Sequence, residues 1–180
     1  MTGAHDKTVA NQTLQNGRYE LCQKIGEGGM GAVYLGRQVD LDRPVAIKLL
    51  KPTIAMTESL VSRFRQEALA ARCLSHPNTV RIFDFGETED GELFLVLEHL
   101  KGRSLDQVLK SRERLSLGLV QRIGIQVLKS LIEAHHHGIV HRDLKPSNLM
   151  LCEQPGEPDF VKVLDFGVAR MSTGPSLTAT

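Results

Sequence analysis

The chain has 180 residues, 41% of them hydrophobic, which is enough for a real core in one ordinary domain or two small lobes. Its 22 lysines and arginines against 21 aspartates and glutamates give a formal charge of +1, so no global field favours nucleic acid or an anionic membrane as a partner. Cys22, Cys73 and Cys152 form no C-x-x-C pair and suit reduced thiols, the polar start with His5, Asp6 and Lys7 is unlike a signal peptide, and no run is long enough to span a bilayer.

In chain order, residues 1–16 are polar and aperiodic and are expected to form a flexible tail. Tyr19 to Ile25 then reads as a strand. It runs into Gly26-Glu27-Gly28-Gly29-Met30-Gly31-Ala32-Val33, a G-x-G-x-x-G-x-V string whose glycines let backbone amides approach a triphosphate. A dinucleotide-binding fold would need these glycines to open a helix. Instead Val33, Leu35 and Val39 keep strand spacing, so the expectation is a strand-loop-strand flap.

Pro44 to Leu50 is a third strand, and period two puts Ala46 and Lys48 on one face with Val45, Ile47 and Leu49 on the other. An ammonium in so apolar a strand needs water or an acid. Glu58 to Leu74 supplies one, as a helix in which Phe64, Glu67, Ala68, Ala71 and Leu74 share a face. Two more strands, Val80 to Gly86 and Leu93 to Glu98, flank the turn Thr88 to Gly91. Lys101-Gly102 reads as a polar, flexible exit, and Asp106 as the cap of a short helix.

Ser116 to His137 is a long helix closed by Gly138. Apolar residues spread over more than half its circumference, with Arg122, Gln126, Lys129 and Glu133 in a narrow polar stripe. His135-His136-His137 point in different directions and cannot converge on one ion, so they are expected to serve the helix C-terminus. The loop Ile139 to Asn148 then concentrates ionisable and amide side chains between apolar segments. There Asp143 is placed to accept a hydroxyl proton, Lys145 to steady a phosphate and Asn148 to ligate a hard cation. Leu149 to Leu151 and Val161 to Leu164 read as strands, the second leading into Asp165-Phe166-Gly167.

His141-Arg142-Asp143-Leu144-Lys145-Pro146-Ser147-Asn148 resembles the catalytic loop of protein kinases, and the glycine string, Val45-Ala46-Ile47-Lys48, Glu67 and Asp165-Phe166-Gly167 occur around it in that family's order. The resemblance covers about Tyr19 to Arg170, most closely the eukaryotic-like serine/threonine kinases of bacteria. It implies an α+β fold: residues 17–98 as an amino-terminal lobe of five strands and one main helix, and residues 99–180 as a hinge and incomplete, mainly helical carboxy-terminal lobe. It also implies an ATP- and magnesium-dependent transfer to Ser or Thr of a protein substrate. Lys48, Glu67, Asp143 and Lys145 would be catalytic, and Asn148 and Asp165 would hold the metal. Ile25 to Val33, Ala46, Leu97, Glu98, Leu100 and Met150 would line the nucleotide site, and Thr178 and Thr180 would accept regulatory phosphates that could meet Arg142. A homodimer would suit autophosphorylation, and the expected location is cytoplasmic, with anchoring open to a longer parent. Because Thr180 falls inside what would be the activation segment, low activity is expected, and a nucleotide-binding or docking module without turnover is the alternative.

Overall fold

The computed structural model describes residues 12–29, 31–51, 58–111 and 114–166. Its contacts divide the chain into two units, Met1–Thr53 with Asp84–His99, and Ile54–Phe83 with Leu100–Thr180. The first helix, expected with residues 17–98, therefore groups by contacts with the second unit.

In the first unit the strands are β1 (Thr13–Leu14), β2 (Tyr19–Gly28), β3 (Gly31–Gln38), β4 (Arg43–Leu50), β5 (Ile82–Glu87, entering from the second unit) and β6 (Leu93–Glu98), in sheet order β1-β2-β3-β4-β6-β5. The five expected strands are present, and β1 adds a sixth from within the segment read as a tail. It forms because Gln15 and Asn16 adopt positive φ, turning the chain so that Leu14 pairs with Tyr19. Val45 to Lys48 are all buried, so β4 is covered on both faces rather than on one, and Leu93 to Val96 form a continuous buried run on β6. Tyr19 donates its hydroxyl to Asp84 at 2.9 Å, and burial followed by that carboxylate pushes the phenol up to about 12.

The second unit contains α1 (Glu58–Arg72), β7 (Gly102–Ser104), α2 (Leu105–Ser111), α3 (Leu117–His136), β8 (Leu149–Gln154) and β9 (Glu157–Val163), with β7-β8-β9 as an antiparallel sheet. Its core joins Ala71 and Leu74 near the end of α1 to Leu119, Ile123, Val127 and Ala134 of α3 and to Leu149, Val161, Val163 and Phe166.

Two local expectations are corrected here. Gly102 is not a loose exit but strand, with φ 153°, because a side chain there would strike the Leu151 backbone of β8. The cap of α2 is Ser104 rather than Asp106: the Ser104 hydroxyl accepts from the Gln107 amide at 3.2 Å while the Gln107 side chain accepts from the Ser104 amide at 2.9 Å. Asp106, inside the first turn, pairs with Lys110 at 2.8 Å.

On α3, Ser116 caps the start by accepting from the Leu119 amide, and Gly138 with φ 71° closes the end. Leu119, Ile123, Val127, Ser130 and Ala134 are buried, whereas Leu117, Val120, Ile125, Leu128 and Ile132 are exposed. Between these two apolar faces the polar stripe bonds to protein, not only to water. Arg122 pairs with Asp159 at 2.8 Å, Gln126 accepts from the Val161 amide of β9, and the Glu133 carboxylate accepts from the Ser75 and His76 amides and the Ser75 hydroxyl.

Candidate active site

In the first unit the glycine string is the tip of the β2–β3 hairpin. Gly26 faces Val33, Glu27 faces Ala32 and Gly28 faces Gly31, so the glycines open a strand and not a helix. A Cβ on Gly31 would collide with the Leu49 backbone of β4, so the tip lies against its neighbour strand only because that position is bare. A Cβ on Gly28 or Gly29 would meet nothing within 4 Å, so those two leave open backbone surface. Glu27 is drawn to Lys24 at 2.6 Å and Lys51 at 3.4 Å, and these ammonium partners, Lys24 first, hold its carboxyl below the usual range. Ile25 is 49% exposed. Met30 lies outside the described residues.

Lys48 is 7% exposed on β4, between Val33 of β3 and Leu95 of β6. Ala46 pairs with Leu35 and Leu97 in the same ladder, and Glu98 ends β6 opposite Val45. This unit thus gathers the hairpin, Lys48, Ala46, Leu97 and Glu98 on one sheet, whereas Glu67, Leu100 and Met150 belong to the second unit.

In the second unit the loop before β8 is built around His141. Its ring is buried, lies 4.7 Å from the Phe166 ring, accepts from the Asp143 amide through Nδ1 at 3.3 Å and contacts the Leu164 carbonyl through Nε2 at 2.7 Å. Since Nδ1 accepts, the proton sits on Nε2 and donates to Leu164. One side chain thus ties the loop before β8 to the residue before Asp165. The Asn148 carbonyl, accepting from the Leu164 amide at 2.9 Å, makes a second tie.

Asp143 is half-buried, and its Oδ2 meets Lys145 Nζ at 2.7 Å and Asn148 Nδ2 at 3.1 Å. The ammonium hydrogen bond from Lys145 is the chief reason its carboxyl sits below the ordinary range, with burial opposing and Asn148 assisting. Asn148 also donates Nδ2 to the Asp143 carbonyl at 2.8 Å, so its amide oxygen is the atom left to ligate a cation. Arg142 and Asp165 both have positive φ, 64° and 57°, left-handed conformations that persist in non-glycine residues only where the surroundings impose them. Asn148 and Asp165 offer hard oxygen donors, fitting magnesium, which takes few protein ligands and keeps the rest for water and phosphate oxygens.

The structure thus brings together Asp143, Lys145 and Asn148, with Asp165 tied in through Leu164. Glu67 is half-buried on α1, and Met150 lies on β8 opposite Lys162 and Ser104. Gly167, Thr178 and Thr180 lie outside the described residues. Sequence reasoning missed the role of His141 as a tie and of Glu133 and Gln126 as anchors. The signal for the first was its place within the motif, and for the others a polar stripe on an otherwise apolar helix. Among the described residues no group of three or more His, Cys, Asp and Glu is placed to hold a metal ion, and no helix is long and apolar enough to cross a membrane.

Comparison with known proteins bears on the family and the fold. The protein kinase domain family matches residues 19–180. Serine/threonine-protein kinase pkn3 of Myxococcus xanthus is 47% identical over 165 residues, covering 89% of this chain and 30% of that protein. PrkC of Bacillus subtilis, also a serine/threonine-protein kinase, is 38% identical over 92% of this chain and 25% of its own length. The PknI kinase domain of Mycobacterium tuberculosis superposes with a TM-score of 0.78 at 29% identity, covering 88% of this chain and 61% of that one. The chain therefore spans about a third or less of these curated relatives. With its motifs in order and its fold matched, the chain belongs to the protein kinase family, among the serine/threonine kinases of bacterial type.

Proposed function

We infer that the chain carries out phosphoryl transfer from ATP to serine or threonine hydroxyls of a protein substrate. The observation that carries this reading is the Asp143 carboxylate, kept ionised by Lys145 and oriented by Asn148. A carboxylate so held can accept the hydrogen bond of an incoming hydroxyl and align its oxygen for in-line attack, while Lys145 stands beside the same oxygen to meet phosphate charge. Magnesium would be held by Asn148 and Asp165, and when bound supplies neutralisation of phosphate charge. The hairpin tip presents unobstructed amides to phosphate; in the first unit Ala46, Leu97 and the backbone of Glu98 would serve the adenine and Lys48 the phosphates, while in the second unit Leu100, Met150 and Glu67 keep the roles that the family resemblance implies. Catalysis is then mainly positioning and electrostatics.

Thr178 and Thr180 are the proposed regulatory phosphate sites, with Arg142 as the cationic partner. The expected location is cytoplasmic, a reading that ATP use and thiols outside any disulfide support; Cys22 and Cys73 are exposed and Cys152 is buried. Transfer of labelled γ-phosphate from ATP to serine/threonine peptides tests the activity, with Asp143→Asn as the inactive control. Lys48→Met and Asp165→Ala should each weaken Mg-ATP binding, and unchanged affinity in both would sink the site assignment.

A further inference from the structure

β9 is the edge of its sheet, with β8 on one side. An open edge leaves amides and carbonyls in need of partners. Here the segment after α1 fills it: the Val163 amide donates to the Asn78 carbonyl at 2.8 Å, and the Val80 amide donates to the Val163 carbonyl at 3.0 Å. Further along the edge two side chains serve it, Gln126 from α3 and Asn78. Gln126 Oε1 accepts from the Val161 amide at 2.9 Å and from Asn78 Nδ2 at 2.9 Å. Its Nε2 donates to the Asp159 carbonyl at 3.0 Å and to the Arg122 carbonyl at 3.3 Å, and Asn78 closes the ring by donating to the Val161 carbonyl at 2.7 Å.

Both lone pairs and both hydrogens of the Gln126 amide are therefore used, and its orientation is forced, since the flipped amide would set hydrogens against two donors. The bonds flank a strained position, Asp159 with φ 65°, which Arg122 also grips. Downstream, β9 delivers a second strained residue, Asp165 with φ 57°, four positions after Val161.

We propose that Gln126 is a positioning residue for Asp165: it fixes the course of β9 from Asp159 to Val161 and thereby where the Asp165 carboxylate is delivered. This rests on the assignment of Asp165 as a metal ligand. Asp165 is the residue that would hold the metal, and Gln126 would act only through the strand.

The test uses the whole chain, with a fluorescent ATP analogue titrated at rising magnesium. Gln126→Leu removes all four bonds and is expected to raise the magnesium concentration for half-saturation about tenfold, as loss of outer supports of metal ligands does. Gln126→Glu keeps the acceptor for the Val161 amide but loses both donors, and should fall between Gln126→Leu and the parent; it also keeps the test alive if Gln126→Leu does not fold. Val127→Ala, in the core beside it, is the control for lost stability alone and should leave the magnesium midpoint in place. Amide exchange at Val161 should quicken in Gln126→Leu and be restored in Gln126→Glu. If Gln126→Leu and Gln126→Glu shift the midpoint no more than Val127→Ala, Gln126 is structural only and the proposal is overturned. If Asp165→Ala itself leaves the magnesium midpoint unchanged, the metal assignment fails and takes the proposal with it, an outcome distinct from the first.

Discussion

The two units hold their functional groups by opposite means. In the first, the glycine hairpin offers backbone, and its geometry depends on missing Cβ atoms, above all at Gly31. In the second, Asp143, Lys145, Asn148 and His141 hold one another side chain to side chain and side chain to backbone. A backbone-built site tolerates changes of side chain but not added bulk, whereas a site built of side chains tolerates nearby bulk but not changed chemistry.

Asp143→Asn should give the largest effect, since it keeps shape and removes charge. We expect transfer to fall about 100- to 10,000-fold, the usual worth of a positioned acid or base, with nucleotide affinity little changed. A single-turnover assay with labelled ATP reads both quantities, and a residual rate near the parent's would place the chemistry elsewhere.

Gly31→Ala should come next, because its Cβ has no room beside Leu49; such overpacking costs about 1–3 kcal/mol. Gly28→Ala, with no atom within 4 Å, should leave thermal stability almost unmoved. Equal melting temperatures for the two variants would erase the contrast drawn above.

Glu133→Gln should cost about 1 kcal/mol at neutral pH, since a charged acceptor of three donors becomes a neutral one. Burial alone would raise the Glu133 carboxyl, but the Ser75 and His76 amides, the Ser75 hydroxyl and the neighbouring His76 outweigh it, and the net is below the ordinary 4.5. A lowered folded-state value means the contribution is present above 4.5 and fades as pH falls through the folded value. Thermal melts of parent and variant should therefore differ at pH 7 and converge in acid; a gap that widened in acid would reverse the sign.

The smallest effect is expected for Leu128→Lys with Ile132→Lys on the exposed face of α3, where stability should change by no more than about 0.5 kcal/mol per site. Self-association at high concentration should drop, as read by light scattering, because a contiguous apolar patch is broken.

The strands and the polar loop before β8 were legible in the sequence because their information is local: an apolar run in β4, glycine spacing in the hairpin, and a run of ionisable residues that no solvated turn needs. Gly102 misled for a physical reason. Glycine marks both flexibility and close approach, and only the β8 backbone beside it tells which. Asp106 and Ser104 are both good capping residues, so composition could not choose between them. The anchors on α3 were invisible as anchors because their partners lie far away in the chain, 58 residues for Ser75 with Glu133 and 35 for Gln126 with Val161, and are largely main-chain atoms that no residue type announces.

The spacing of those anchors along α3 also bears on how such a sequence can evolve. Arg122, Gln126, Ser130 and Glu133 sit three or four residues apart, each held to a different fixed partner, while the opposite face carries exposed apolar side chains such as Val120, Leu128 and Ile132. Substitutions on that exposed face are cheap, but inserting or deleting one residue between Arg122 and Glu133 would turn everything beyond it by about 100° and detach several partners at once. Between those two positions the length of the helix is under tighter constraint than the identity of most residues that compose it, and gaps, not substitutions, are the changes it should exclude.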